Sequence, residues 1–364
     1  MKVLHLSSEK TWRGGEQQIA YLIEEQRLSG IDVVVAAKES SEFSKYCEVQ
    51  QFEYYTYRYK NSLDFKTARG LKKLIAQTKP DLIHVHSSRS HGIIALVHLI
   101  GGLNVSVILS RRVDFRLKKS GFSNWKYNLP QIKRILCVSD EIRNMVRDDI
   151  KNPERAITVY SGVDLSKFES AQHSDYLRTT YNLSNDAILI GNTSAIADHK
   201  DYFTFVDAAQ HFLASKKQDI CFFIIGDGPL RAQIASYIKE KSLESRIILT
   251  GFLTNIPEIL QELDIFLMTS KTEGLGTSIL DAFASKLAVV STNGGGLKET
   301  VLDEQTGLSS AVGDAQHLAS QLERMVTDVA LREQLVGNAY EFVQQFSKEN
   351  TARNTLDIYK EVLA

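Results

Sequence analysis

Short apolar runs alternate with amphipathic stretches almost from end to end of the chain, in two successive arrays. In the first array "KVLHL" (2–6), "DVVVAA" (32–37), "DLIHVH" (81–86), "VSVIL" (105–109) and "RILCV" (134–138) read as strands. Runs this continuously hydrophobic suit parallel strands buried on both faces. Between them, "EQQIAYLIEEQRL" (16–28) places Ile19, Leu22 and Ile23 at helical spacing, and "FKTARGLKKLIAQ" and "SHGIIALVHLI" read the same way. The pattern restarts after "ITVYSGVD" (157–164), with strands expected at 187–194, 220–226, 246–251, 264–270 and 287–292. Two βαβ arrays predict an α/β protein of two doubly wound domains.

The polar, irregular stretch "LSKFESAQHSDYLRTTYNLSND" reads as the linker. We place the domains at 1–168 and 169–345, followed by a helix at 346–364. In that helix Ser347 is the expected N-cap, and Ala352, Leu356, Tyr359 and Leu363 repeat on one face. It has to pack somewhere, and crossing back to the first domain is the expectation.

A length of 364 residues fits two such domains, and 43% hydrophobic with 24% charged residues is ordinary for a globular chain. Three scattered cysteines form neither a disulfide framework nor a CxxC metal signature, which points to a reducing compartment. No apolar run approaches the ~18 residues of a membrane span, and "MKVLHLSS" is too short in its apolar part for a signal peptide. A cytoplasmic location follows as an expectation. The net charge of −1 hides an asymmetry, since residues 1–165 carry +8 and the remainder −9. Two domains meeting different partners would be charged in this way.

Ligands of open α/β sheets bind beyond the carboxyl ends of the strands. "SSEKTWRGGEQQ" (7–18) sets Gly14 and Gly15 before a helix, where backbone can approach a phosphate or a sugar. It lacks the GxGxxG pattern, so a dinucleotide gains no support. "HVHSSRSH" (84–91) puts His86 at the mouth of its strand as a hydrogen-bonding group, with His84 deeper in the core. With no acid or sulfur ligand near His84, His86 and His91, metal is the weaker reading. The segment 110–134 interleaves Arg111, Arg112, Arg116, Lys118, Lys119 and Lys126 with Phe115, Phe122 and Trp125. Such a loop suits an anionic membrane surface or a phosphorylated acceptor, and the overall charge disfavours nucleic acid. Arg111 and Arg112 directly follow a strand and are expected to reach the binding face.

In the second array Lys200 ends "SAIADHK", "IGDGPLRAQI" carries Gly228, and "TGFLTNIPEI" carries Phe252. "TEGLGTSILDAFA" (272–284) then places Glu273 and Asp281 on either side of a helix start, and "STNGGGLKET" follows. Four glycine-containing loops on one domain point to one large polar ligand with phosphate.

Taken in order, these segments resemble the two-domain GT-B glycosyltransferases of family 4, glycosyl transferases group 1. The resemblance rests on Gly14-Gly15-Glu16, "DLIHVHS", "VSDEI", "SGVDLSKF", Lys200-Asp201, "IGDGP", Gly251-Phe252, "TEGLGTSILDAFA" and "GGGLKETVLDEQTGLSS". It implies two facing Rossmann-like domains with an interdomain cleft, and a nucleoside-diphosphate sugar donor on the second. It implies that Glu273 approaches the donor sugar and Asp281 the ribose. The diphosphate would meet Lys200 and the backbone around Gly274, Leu275, Gly276 and Thr277, while Gly228 and Phe252 border the donor and Gly14 and Gly15 close over it. A glycan or lipid-linked acceptor would sit on the first domain, with transfer by retention and no cofactor or metal. A peripheral contact with the inner face of an anionic membrane fits the basic loop.

Three departures from the family pattern stand out. Asp281 replaces the usual Glu, no arginine precedes Lys200, and Arg111-Arg112 occupy the neighbourhood of the usual cleft histidine. Arg112 is the expected substitute cation. A nucleotide-sugar epimerase and a non-catalytic nucleotide-sugar-binding protein stay open beside the transferase.

Overall fold

The computed structural model describes residues 1–364 apart from 62, 118–120, 173 and 215–218. Two compact units emerge: residues 1–162 with 348–364, and residues 163–347. The first carries seven parallel strands, β1 (Lys2–Leu6), β2 (Asp32–Lys38), β3 (Glu53–Tyr57), β4 (Leu82–Val85), β5 (Ser106–Arg111), β6 (Ile132–Cys137) and β7 (Ala156–Thr158). Their order is β3-β2-β1-β4-β5-β6-β7. The second carries β8 (Ile188–Thr193), β9 (Ile220–Ile225), β10 (Ile247–Gly251), β11 (Ile265–Met268), β12 (Ala288–Thr292) and β13 (Leu308–Ser310), also parallel, in the order β10-β9-β8-β11-β12-β13.

The ten strands expected from the apolar runs are all present. The three that the pattern misses, β3, β7 and β13, are edge strands. β3 ("EYYTY") is half exposed, so it lacks the continuous apolar run that marks its neighbours, and β7 and β13 have three residues each. Central strands are buried outright: all six residues of β9 and all four of β11 are covered. Helices on both faces supply the cover, as parallel crossovers require.

The chain leaves the first unit after Gly162, earlier than the expected 168, and re-enters it at Lys348 rather than 346. The helix Lys348–Leu363 packs within the first unit. Tyr359 is fully buried there, whereas Leu363, expected on the same face, stays 41% exposed as the helix runs out. Among the described residues no helix is long and apolar enough to cross a membrane.

Strand order reverses between β1 and β4 in one sheet and between β8 and β11 in the other. The loops after those strands carry Gly14-Gly15 and His86 in the first unit, and Lys200 and Glu273 in the second. Crevices at such reversals are where α/β sheets bind ligands.

The glycines of the second unit bring these loops together. A Cβ on Gly226 would meet the Ser194 carbonyl oxygen at 2.1 Å, and one on Gly294 would meet that of Lys271 at 2.3 Å. Neighbouring strand-end loops thus touch backbone to backbone at these glycines, which gives Gly226 and Gly294 a packing role. Overpacking of this kind costs about 1–3 kcal/mol. Gly294→Ala should therefore lower the urea midpoint of unfolding by a corresponding amount without changing the slope; an unchanged midpoint would show that the loop yields freely.

Candidate active site

In the second unit, β8 runs into a single 3-10 turn, Asp198–Lys200, which the loop after β11 clamps from the side. Thr269 Oγ1 donates to the carbonyls of Lys200 (3.1 Å) and Asp201 (3.0 Å), and the Lys271 amide donates to that of His199 at 2.8 Å. Lys271 also pairs with Asp198 at 3.0 Å. This clamp brings the Lys200 ammonium to 2.5 Å from Glu273 Oε1, with both side chains only 13% exposed. Ser270 donates to the same oxygen at 2.7 Å, and its own carbonyl is held by Thr292 Oγ1 at 2.6 Å. The two charges therefore satisfy each other.

The backbone of Glu273 is fixed as well. Its carbonyl accepts from the Gly296 amide at 2.8 Å. Gly276 then turns through φ +80° to start the helix Thr277–Ala284, and a Cβ there would meet Leu297 Cδ2 at 2.5 Å. Among the described residues, the amides of Leu275, Gly276 and Thr277 make no hydrogen bond. Unpaired amides at a helix start carry partial positive charge, and here they lie beside Gly274 on the chain that carries Glu273.

Asp281 lies in the second turn of that helix, half-buried, its carboxylate without a hydrogen-bond partner among the described residues. Burial pushes its carboxyl up to about 7, and the Lys167 ammonium offsets this only in part. A partly desolvated carboxyl without a protein partner has oxygens left over for hydroxyl groups of a ligand. Phe252 follows β10 with 78% of its surface exposed, so its ring is free to stack. Gly228 packs on the 194–200 loop, where a Cβ would meet the Ile196 carbonyl oxygen at 2.4 Å. The sequence reading passed over Arg231, whose Nη2 donates to Leu249 at 3.2 Å while Nη1 is buried without a partner.

In the first unit a cavity of about 400 Å³ opens beyond β1, β4 and β5, lined among others by Gly15, Glu16, His86, Ser110 and Arg112. Gly14 and Gly15 begin the helix Gly14–Leu28, and nothing lies within 4 Å of where a Gly15 Cβ would be. Glu16 is buried and its carboxyl is raised by desolvation. Arg112 has Nε and Nη1 buried without partners, and burial lowers it to about 10 against the opposing pull of Glu16.

Arg111 behaves differently from the expectation. It is buried, donates to Tyr127 Oη at 3.2 Å and to the Phe115 carbonyl, and stacks on the Phe115 ring. Lys126 is also buried and lowered to about 8 by desolvation and then by Arg111. Arg116 is exposed but sits beside Asp148 (3.7 Å) and Asp149 (3.9 Å). Lys118 and Lys119 lie outside the described residues. Among the described residues of the basic loop, Arg111 and Lys126 are drawn inward against aromatic rings and Arg116 lies beside two acids.

The histidines regroup too. His91 bonds the Lys126 carbonyl at 3.0 Å, and His5 from β1 joins His84 and His86 instead. One nitrogen from each of these three rings lies within 4.8 Å of the others, yet His5 Nδ1 and His86 Nε2 already share a hydrogen bond at 2.9 Å.

Residues 175–342 match the family model described as glycosyl transferases group 1, and residues 12–167 match that for glycosyltransferase family 4. The UDP-Gal:alpha-D-GlcNAc-diphosphoundecaprenol alpha-1,3-galactosyltransferase of Escherichia coli is 25% identical over 82% of this chain and 81% of its own. The N-acetyl-alpha-D-glucosaminyl L-malate synthase of Bacillus anthracis is 25% identical over 87% of this chain and 84% of its own. Anabaena Alr3699/HepE, solved in complex with UDP-glucose, superposes with a TM-score of 0.84 at 17% identity, covering 99% of this chain and 100% of that one. The two sheets and their strand-end sites define a GT-B glycosyltransferase. The chain belongs to the group 1 glycosyltransferases of family 4.

The raised Asp281 carboxyl has a measurable consequence. A folded value near 7 against about 3.9 when unfolded means that the native state holds the proton more tightly. Its contribution to stability is present at low pH and is lost as pH rises from about 4 to 7. Asp281→Asn should therefore have a higher Tm than the parent at pH 8, with the gap closing by pH 4. Equal Tm values at pH 8 would show that the carboxylate is well solvated.

Proposed function

We propose that the protein is a retaining glycosyltransferase that moves a sugar from a nucleoside-diphosphate sugar to a glycan or lipid-linked acceptor, without a metal ion. The observation that carries this reading is the Lys200–Glu273 pair at the head of a helix whose first amides are unpaired. A diphosphate takes those amides and draws the Lys200 ammonium toward it, and Glu273, released, accepts hydroxyls of the donor sugar. Asp281 takes the ribose hydroxyls, Phe252 borders the base, and Gly228 and Gly274 let backbone approach. Because Asp281 is one methylene shorter than the usual Glu, it reaches the ribose only if the ribose shifts or a water intervenes.

Departure of the diphosphate builds negative charge in an oxocarbenium-like transition state, which fixed donors stabilise without reorganisation. The resemblance supports retention, with the leaving phosphate taking the acceptor proton. The resemblance supports metal independence as well, and the sequence contains no Asp-x-Asp tripeptide of the kind that holds a metal on a diphosphate. In the first unit, the cavity with His86 and Arg112 is the proposed acceptor site, and Gly15 is part of its lining. The names of the relatives include both a diphosphoundecaprenol-linked sugar and L-malate, so acceptors in this family differ widely.

Lys200→Ala should lower kcat/KM by about a hundredfold to a thousandfold, the scale of one lost charge-stabilising donor. Glu273→Gln should reduce turnover more than donor KM. A Lys200→Ala enzyme with normal kcat/KM would overturn the assignment, and thermal-shift measurements with UDP-, GDP- and ADP-sugars identify the donor class. A peripheral location on the inner face of an anionic membrane is proposed through exposed Val113, Phe115 and Arg116. Flotation with anionic liposomes should show salt-sensitive binding that Phe115→Ser weakens; no binding at low salt would end that proposal.

A further inference from the structure

Five polar side chains of the first unit, His5, Gln26, His84, His86 and Tyr359, are buried together where the proposed chemistry does not use them all. They form one continuous hydrogen-bonded chain. His5 Nε2 lies 2.8 Å from Gln26 Oε1, and Gln26 Nε2 donates to Tyr359 Oη at 3.2 Å. An amide oxygen only accepts, so His5 carries its proton on Nε2. A neutral imidazole has one N–H, which leaves His5 Nδ1 as a lone pair. The 2.9 Å contact between His5 Nδ1 and His86 Nε2 then needs the proton on His86 Nε2. His86 Nδ1 is therefore unprotonated, and it is buried with no partner.

The other branch has the same sense. Tyr359 Oη, having accepted from Gln26, gives its own proton to His84 Nδ1 at 2.5 Å. His84 Nε2 donates to Ser110 Oγ at 2.8 Å, which frees the Ser110 hydroxyl proton for another acceptor. Ser110 and His86 both line the 400 Å³ cavity; Gln26 and Tyr359 do not. All three histidines are held neutral by burial, His5 at about 4 and the other two well below their ordinary value.

Turning the Gln26 amide end for end would reverse every bond and put a proton on His86 Nδ1. The cavity wall favours the first sense. Arg112 lines the same cavity as His86, and its Nε and Nη1 are themselves buried donors without partners. A lone pair is favoured beside a cation and an N–H is not.

We propose that Gln26 is a positioning residue: it fixes the direction of this chain and so holds His86 as a hydrogen-bond acceptor, at Nδ1, for a donor group of the hydroxyl-bearing substrate that enters the cavity. This rests on reading the cavity as the acceptor site. The sense of the chain also presents Ser110 as a donor on the same wall, so the cavity offers one fixed acceptor and one fixed donor.

The test is the ring-nitrogen spectrum of the full chain labelled with 15N-histidine. His86 should show Nδ1 unprotonated and Nε2 protonated, and His5 the same tautomer. Gln26→Met removes the amide while keeping its length, and should let both rings sample both tautomers while lowering kcat/KM for the acceptor about tenfold, the worth of one hydrogen bond. Donor KM should not move. Tyr359→Phe should change His84 and leave His86 as it was. A protonated His86 Nδ1 in the parent overturns the proposal whether or not the variants fold, and so does an unaltered spectrum in a folded Gln26→Met chain. Expected spectra with unchanged kcat/KM would remove the substrate contact of His86 but not the glycosyltransferase reading, which Lys200→Ala tests independently.

Discussion

The carboxyl end of the second sheet depends on how closely two loops can lie. The loop after β12 rests its backbone on the loop after β11, with room at Gly294 for a hydrogen and nothing larger. That contact pins residues 271–276 from one side, while the Lys271 and Thr269 bonds to the loop after β8 pin them from the other. Glu273 is thereby placed to meet Lys200, and Gly276 to open the helix at Thr277. The chemistry of the site follows from backbone packing, since a side chain can be no better placed than the chain that carries it.

The two units handle buried charge differently. In the second, Lys200 and Glu273 neutralise each other until something replaces one partner, and Asp281 is left partly desolvated and unpartnered. In the first, charge is held off the hydrogen-bonded histidines altogether, and a single guanidinium, Arg112, stands beside them with two donors unfilled. A buried donor without a partner is costly unless a ligand supplies the acceptor. Arg231 in the second unit carries a similar unfilled nitrogen.

Much of this was legible before the fold was known. The apolar runs marked every central strand because parallel strands covered on both faces need unbroken hydrophobicity. Three of the four edge strands escaped, β3 because its partly exposed "EYYTY" breaks the apolar run and β7 and β13 because they have three residues each. Edge strand β10, by contrast, was marked by its apolar "RIILTG". The strand-end positions of Gly14, His86, Lys200 and Glu273 were legible because residue type and order along the chain suffice to place a residue on a carboxyl-end loop. Arg111 is expected at the binding face and Lys126 on an open basic loop because charge is visible in a sequence and burial against Phe115 and Tyr127 is not.

By itself, then, the sequence determined the two α/β arrays, the family and the loops that carry the site, because each is written in local periodicity and in spacing along the chain. Only the tertiary structure decided which polar groups meet. Gln26 and Tyr359 lie 333 positions apart and, with His5, look like ordinary members of a strand and two helices, yet the three join in one buried network. Lys200 and Glu273, 73 positions apart, prove to be each other's partner. Such pairings depend on distances of a few ångströms set by packing, and linear spacing carries no record of them.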